Sequence, residues 1–280
     1  MERTPTTSFL CVAIAVFGAV TGCASHSNPN PIVVVAGAAH EGVIGWKSEH
    51  DQTVTLATQG LVAVDVETFA GDVTIVGDES AKETEVTVKR SGTFGWGRSD
   101  EAVASLGDIR YTISLERRAG GDVAVVRAQS EHPEPHFQRV DVVVTVPLLG
   151  SVTIRSSRGA VWVEQNQGPV DIVTTRGDIR VMTPWKMDAP MTLVTSDGAI
   201  DLRIRGESSG DFDIETVGGE VKTVVKYGRW IALDKKNDRD SIRASLNGGN
   251  NAIVMRTSNA DVMLSVVPEP VSANPFPAIW

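Results

Sequence analysis

Short stretches of alternating apolar and polar residues run through most of the chain, and alternation at period two marks half-buried strands. Residues 84–90 (TEVTVKR), 111–117 (YTISLER), 122–127 (DVAVVR) and 140–147 (VDVVVTVP) all read this way. Further on, the alternation is organised by a ten-residue pattern: aliphatic, any, Ser/Thr, any, any, Gly, any, Val/Ile, any, aliphatic. It occurs at 154–163 (IRSSRGAVWV), 172–181 (IVTTRGDIRV) and 193–202 (LVTSDGAIDL). It recurs at 214–223 (IETVGGEVKT), ending in Thr, and at 255–264 (MRTSNADVML), with Ala260 in the Gly place. A remote copy stands at 66–75 (VETFAGDVTI). The four central copies are 18, 21 and 21 residues apart, and the next lies 41 further on, about two periods.

The pattern describes two strands joined by a corner. Positions 1 and 3 share a strand face, as do 8 and 10. The Ser or Thr is placed to hydrogen-bond the corner backbone, and the Gly to take a positive φ angle. The expected corner glycines are Gly71, Gly159, Gly177, Gly198 and Gly219, with a looser second set at Gly168, Gly210 and Gly249. The residues expected inside are Ile154, Val161, Val163, Ile172, Ile179, Val181, Leu193, Ile200 and Leu202. A repeat of about 20 residues with two or three short strands is one coil of a solenoid, which buries its apolar side only by stacking on the next. The fold class predicted is therefore all-β: a single-stranded parallel β-helix or β-solenoid with an irregular N-terminal β region. The competing architecture is an antiparallel β-sandwich, whose turns also recur every 8–12 residues. Corner residues aligned from copy to copy favour the solenoid.

Three segments break the rhythm. Residues 91–108 read as a Gly-rich loop with one or two helical turns, and 228–243 as a protruding insertion. The tail from Pro268, with Pro270, Pro275 and Pro277, reads as leaving the fold. Composition agrees with the strand reading: 40 Val against 12 Leu, with 23 Thr and 26 Gly. A net charge of −9 disfavours nucleic acid, whose phosphates need clustered Lys and Arg. The two cysteines, Cys11 and Cys23, exclude a disulfide scaffold, an iron–sulfur protein and a Cys-rich zinc site.

The N-terminus carries an address. Phe9 to Val20 are twelve consecutive non-polar residues, too few for a transmembrane helix and suited to the core of a secretory signal. Val20-Thr21-Gly22-Cys23 follows and resembles the lipobox of bacterial lipoproteins. That resemblance implies cleavage before Cys23 and a lipid on its amino-terminal cysteine, with Ala24 next to it favouring the outer membrane if the envelope is Gram-negative. The expected organisation is a signal peptide over 1–22, the lipidated cysteine and tether over 23–45, the repeat domain over 46–267 and the Pro-rich tail over 268–280.

The unit LVAVDVETFAGDVTIVGDESAKETEVTVKR, the strand VDVVVTVP ending in Pro, and the Ser/Thr-x-x-Gly-x-Val/Ile copies that follow resemble the DUF4097 family of adhesin-like domains over roughly residues 54–267. The resemblance implies a β-helical or β-solenoid fold and brings no catalytic residues. The 224–250 interval and Ala260 depart from it.

Chemistry is sparse. There is no phosphate loop or His-Glu-x-x-His helix, and no catalytic residue and no cofactor is expected. His132-Pro-Glu-Pro-His136 has a metal-like spacing, but its prolines make it an extended, solvated loop and no metal is expected there. Asp72, Asp178, Glu220 and Asp261 follow the corner position, while Ala160 and Ala199 break that row. Arg155, Arg158, Arg176 and Arg180 are placed to neutralise such charges, or to form a small patch for an anionic ligand. Trp162 lies between inward Val161 and Val163 and should face outward; Trp185 sits in a loop, and Trp230 with Tyr227 in the insertion. These four aromatics are the candidate surface-binding residues, since exposed rings stack on sugars or anchor protein contacts; covering one another or the tether is the alternative. The function expected is a non-enzymatic envelope lipoprotein whose solenoid is a binding or structural surface for glycan, cell wall or protein, held to the membrane by its lipid. The alternatives are a β-helix enzyme acting on polysaccharide and an envelope signalling or assembly module.

Overall fold

The computed structural model describes residues 34–35, 47–93, 98–131, 138–234 and 238–272. The strands are β1 (Val34–Val35), β2 (Lys47–Leu56), β3 (Val62–Thr68), β4 (Val73–Gly77) and β5 (Thr84–Thr93), then helix α1 (Ser99–Ser105) with a 3-10 turn (Leu106–Asp108). They continue with β6 (Ile109–Arg118), β7 (Gly121–Ser130), β8 (Gln138–Val146), β9 (Leu149–Arg158), β10 (Val161–Glu164), β11 (Val170–Arg176), β12 (Ile179–Met182) and β13 (Met191–Val194). The last are β14 (Ile200–Ile204), β15 (Gly210–Thr216), β16 (Val221–Val225), β17 (Trp230–Ala232), β18 (Ser241–Leu246), β19 (Ala252–Thr257) and β20 (Val262–Val266). The cysteines, the segment 1–33, His132 and His136, and residues 273–280 lie outside the described residues, so Cys23, where lipidation is expected, does too.

Two sheets face each other. One has the order β1-β6-β7-β3-β9-β11-β13-β19-β15-β18-β17, the other β16-β20-β14-β12-β10-β4-β8-β5-β2. Each repeat copy places its first strand in the first sheet, turns at the Gly corner, and places its second strand in the other. Rungs pair in parallel and in register: Val161 with Ile179 and Val73, Ile172 with Leu193 and Ile154. Parallel pairing decides for the solenoid over the sandwich. The antiparallel pairs are confined to the ends: β2 with β5, β5 with β8, β6 with β7, and the hairpin β17–β18 against β15.

The interior is built from rows of like residues, one per rung. Val126, Val66, Ile154, Ile172, Leu193, Met255 and Ile214 form one, and Val144, Ile75, Val163, Val181, Leu202 and Leu264 face it. All of these are fully buried, as are the nine residues expected inside. The facing row ends on Thr223, which is exposed.

Rung order in space is not rung order in sequence. The last copy, β19–β20, lies between β13–β14 and β15–β16, so the copy ending in Thr223 becomes the terminal rung. The 228–243 segment does not protrude. Its two strands extend the first sheet beyond β15, because Trp230 packs on Phe212 (ring centroids 5.2 Å apart) and Ala244 and Leu246 are buried. The chain also stays on the body past Pro268, since Pro270 is buried. Part of the expected tether joins the fold, as β1 pairs with β6.

The corners behave as a stacked unit. Gly71, Gly159 and Gly177 have φ of 119°, 115° and 143°, and a Cβ on any of them would run into the carbonyl of the rung beside it. Gly198 and Gly219 are not in that left-handed region; there glycine is required by close approach alone, to the carbonyls of Gly177 and Ala260. The corner hydroxyls bond backbone in two ways. Thr68 and Ser156 donate to carbonyls two residues on (3.2 and 3.1 Å), while Thr195, Thr257 and Thr216 donate to the corner of the adjacent rung (3.1, 2.8 and 2.7 Å).

Candidate binding surface

In spatial order the residues after the corners read Asp72, Ala160, Asp178, Ala199, Asp261, Glu220, so acid and alanine alternate as far as Asp261, and Glu220 is its direct neighbour. Neighbouring rungs lie about 4.8 Å apart, so skipping one roughly doubles the separation of like charges. Each Asp uses one oxygen to accept the backbone N–H of the next rung: Asp72 from Ala160 (2.9 Å), Asp178 from Ala199 (2.8 Å), Asp261 from Glu220 (2.9 Å). The two alanines that interrupt the row in sequence thus space Asp72, Asp178 and Asp261, while the adjacent Asp261 and Glu220 are each offset by a cation, Lys222 and Arg239. This ladder joins rungs rather than gathering acids at one point, and among the described residues no three His, Cys, Asp or Glu cluster in a metal-holding arrangement.

The outward side of the first sheet is laced with ion pairs: Arg155 with Asp171, Arg127 with Asp65 (2.8 Å), Arg176 with Asp197 (3.3 Å), Arg256 with Asp213 (2.7 Å) and Glu215 (2.5 Å). Arg155 and Arg176 thus neutralise neighbours instead of collecting an anion.

The outward side of the second sheet is different. One row across it reads Thr87, Val143, Thr74, Trp162, Arg180, Asp201, Met263, Lys222. The Arg180 guanidinium lies over the Trp162 ring, 4.7 Å from its centroid, and its Nε is 3.0 Å from Asp201 Oδ2. Asp201 is 1% exposed and also receives Arg203 (7% exposed), from Nη2 at 2.7 Å and Nε at 3.1 Å. At the other end Trp162 Nε1 donates to Glu164 at 2.7 Å. Five side chains on three adjacent strands thus form one chain of contacts, Glu164–Trp162–Arg180–Asp201–Arg203. Beside it opens a shallow pocket of about 280 Å³ lined by Ala160, Val161, Trp162, Asp178, Ile179, Arg180 and Asp201. Its volume suits a single ring-sized group. The arrangement offers the Trp162 ring and the Arg180 guanidinium, which the nearly buried Asp201 and Arg203 hold in place. It offers no activated nucleophile: Asp201 is committed to two guanidiniums.

Of the four aromatics expected at a binding surface, Trp162 alone stands in this patch. Trp185 sits in the loop after β12, half-buried, its N–H on the Thr183 hydroxyl (3.2 Å). Trp230 turns inward and packs against the core through Phe212, a correction to its expected surface role. Tyr227 is exposed at the turn before β17. Asp201 and Arg203 were missed by sequence reasoning. Their signal was Asp-x-Arg at the outward positions of a strand whose neighbours carry Trp162 and Arg180.

The fold and this surface define a class: a two-sheet β-solenoid whose faces differ, one salt-bridged and one bearing an aromatic–guanidinium patch. Residues 53–265 match the family model described as Toastrack DUF4097, and the chain belongs to that family. Solved structures similar to it include a candidate cell adhesion protein from Clostridium sporogenes (10% identity, TM-score 0.46, covering 79% of this chain and 100% of that one). Others are a candidate adhesin from Bacteroides fragilis (11%, TM-score 0.26, 79% and 98%) and a candidate lipid binding protein from Parabacteroides distasonis (10%, TM-score 0.27, 81% and 98%). No match was found among curated proteins. Among the described residues no helix is long and apolar enough to cross a membrane.

Proposed function

We propose that the protein is a non-enzymatic, lipid-anchored envelope protein whose solenoid binds a cell-wall or surface glycan on the outward face of its second sheet. The observation that carries this reading is the Trp162–Arg180–Asp201–Arg203 patch with its adjoining pocket. Sugars are recognised by just these groups: an aromatic face for their C–H surface, and paired charges for hydroxyl and carboxyl oxygens. The anchor rests on the Val20-Thr21-Gly22-Cys23 motif, which would place the domain at the envelope. The test is co-sedimentation with purified cell-wall sacculi and with envelope polysaccharide. Trp162→Ala, with an unchanged melting curve, should reduce retention at least tenfold. Equal retention of the folded variant would remove this face from recognition. Labelling with radioactive palmitate should be lost in Cys23→Ala; label that persists would overturn the anchor.

A further inference from the structure

The end of the solenoid carrying β16 is built to receive one more strand. The first sheet runs two strands further than the second at this end, because β18 and β17 follow β15 while nothing among the described residues follows β16. The inner face of that overhang carries Ile242 and Trp230, both half-buried against the core, and the exposed Ala232. Opposite it, β16 is the last strand of its sheet among the described residues. Val262 N–H donates to Glu220 C=O and Lys226 N–H to Val266 C=O, so the even-numbered residues of β16 bond to β20. The backbone groups of Val221, Thr223 and Val225 therefore point outward. Val221 N–H is met by the Arg239 carbonyl (2.7 Å); Thr223 and Val225 meet no partner strand among the described residues.

The overhang restricts what fits. A second copy pairing through its own β16 would bring its β15 into the space that β18 already fills. Its opposite end fares no better: there β2 lies level with β1 of the facing sheet, and α1 packs on β2 and β5. The sheet edges at β16, β1 and β2 arrive with a second sheet beside them; the β17 edge does not, but it belongs to the same Lys- and Arg-rich stretch 220–243, so the slot is left to a lone extended segment. Charge narrows the choice. Residues 220–243 contain seven Lys and Arg against four Asp and Glu, in a chain of net charge −9. Lys226 and Arg229 stand exposed in the turn after β16, while Lys222 is paired with Asp261 (2.5 Å) and Arg239 with Glu220.

We infer that β16 is a strand-addition site for an extended, acidic segment of a partner protein, its apolar side chains covering Trp230 and Ile242 and its carboxylates meeting the flanking cations. This site is separate from the glycan face and stands or falls without it.

The experiment uses the full chain and a fluorescent nine-residue peptide alternating Val with Glu, with a Val/Lys peptide as control. Anisotropy should show saturable binding of the Glu peptide and at least tenfold weaker binding of the Lys peptide. Thr223→Pro, which removes an edge N–H, should weaken the Glu peptide at least tenfold. Should that variant misfold, amide exchange in the unaltered protein decides: the peptide should slow exchange at Thr223 and Val225. Trp162→Ala should leave peptide binding unchanged. Three results would each overturn the inference: no protection of those amides at saturating peptide, a peptide-free dimer in sedimentation that Thr223→Pro abolishes, or flotation with phosphatidylglycerol vesicles that Lys226→Glu abolishes while the peptide fails to bind.

Discussion

Two arginines show what burial does to a charge here. Arg203 is nearly buried but shares Asp201 with Arg180, so its charge is compensated. Arg90 is 1% exposed, donates to the Leu106 carbonyl at 3.3 Å and lies 5.5 Å from the Tyr111 ring, yet its Nε and Nη2 meet no hydrogen-bond partner among the described residues. The expected outcomes are opposite. Asp201→Ala leaves two guanidiniums facing each other and should cost about 3 kcal/mol in urea unfolding. Arg90→Met replaces an unpaired buried cation by an apolar chain of similar length, and should melt at or above the wild-type temperature. Tyr111 adds a pH term. Burial raises its phenol above the ordinary value of 10.0, with Arg90 pulling the other way. A folded-state pKa above the unfolded one gives stability that is intact below about pH 10 and lost as pH climbs through the folded value. Thermal melts from pH 9 to 11.5 should therefore fall more steeply for wild type than for Tyr111→Phe. Neither arginine's setting was visible in the sequence. An Arg on a strand reads as outward and solvated, and only the neighbours supplied by other strands decide otherwise.

At the scale of the element, the corner was the most legible part of the chain. Its Gly and Ser/Thr are demanded by contacts between identical positions, so the constraint repeats and the repeat exposes it. Gly177 combines a φ of 143° with a Cβ direction blocked by the Gly159 carbonyl. Gly177→Ala should cost roughly 2–4 kcal/mol, measured by denaturant titration, since both strain and overpacking apply. The acidic ladder allows a second test. Ala199 separates Asp178 from Asp261, and Ala199→Asp would set four carboxylates on consecutive rungs, from Asp178 to Glu220, about 4.8 Å apart. The variant should be less stable than wild type at pH 7 by about 1 kcal/mol or more in denaturant titration, and added salt should narrow the gap. What the corner pattern does not encode is partnership. The alternation of β5 to β8 marks strands without saying that β5 pairs antiparallel with β8 while β4 pairs parallel with it. Likewise Trp162 was legible as an outward ring, but its stacking on Arg180 required knowing which rungs are neighbours.

The order of rungs is a property of the whole molecule. The step of 41 residues between the last two copies fits either a solenoid growing outward or the one observed, in which the final copy enters between two earlier ones. A physical preference distinguishes them. Val262, Leu264 and Val266 suit a place buried on both sides, whereas Val221, Thr223 and Val225 suit a half-exposed end. The arrangement changes the consequence of truncation. In a solenoid with sequential rungs, removing the last repeat subtracts one interface and leaves the remainder folded. Here a chain ending at Asn251 loses β19 and β20, the strands through which β15 and β16 are joined to β13 and β14. The terminal rung and its hairpin would then hang free, with Leu202, Leu193 and Met191 uncovered. Such a chain should lose amide protection across β15 to β18 as well as across the exposed β13 and β14, and should unfold at a denaturant concentration well below wild type. A chain lacking only 273–280 should keep the wild-type pattern across β15 to β18. Retained protection of β15 to β18 in the shorter chain would mean that these strands pair without the inserted rung, and the observed order would no longer account for the stability of this end.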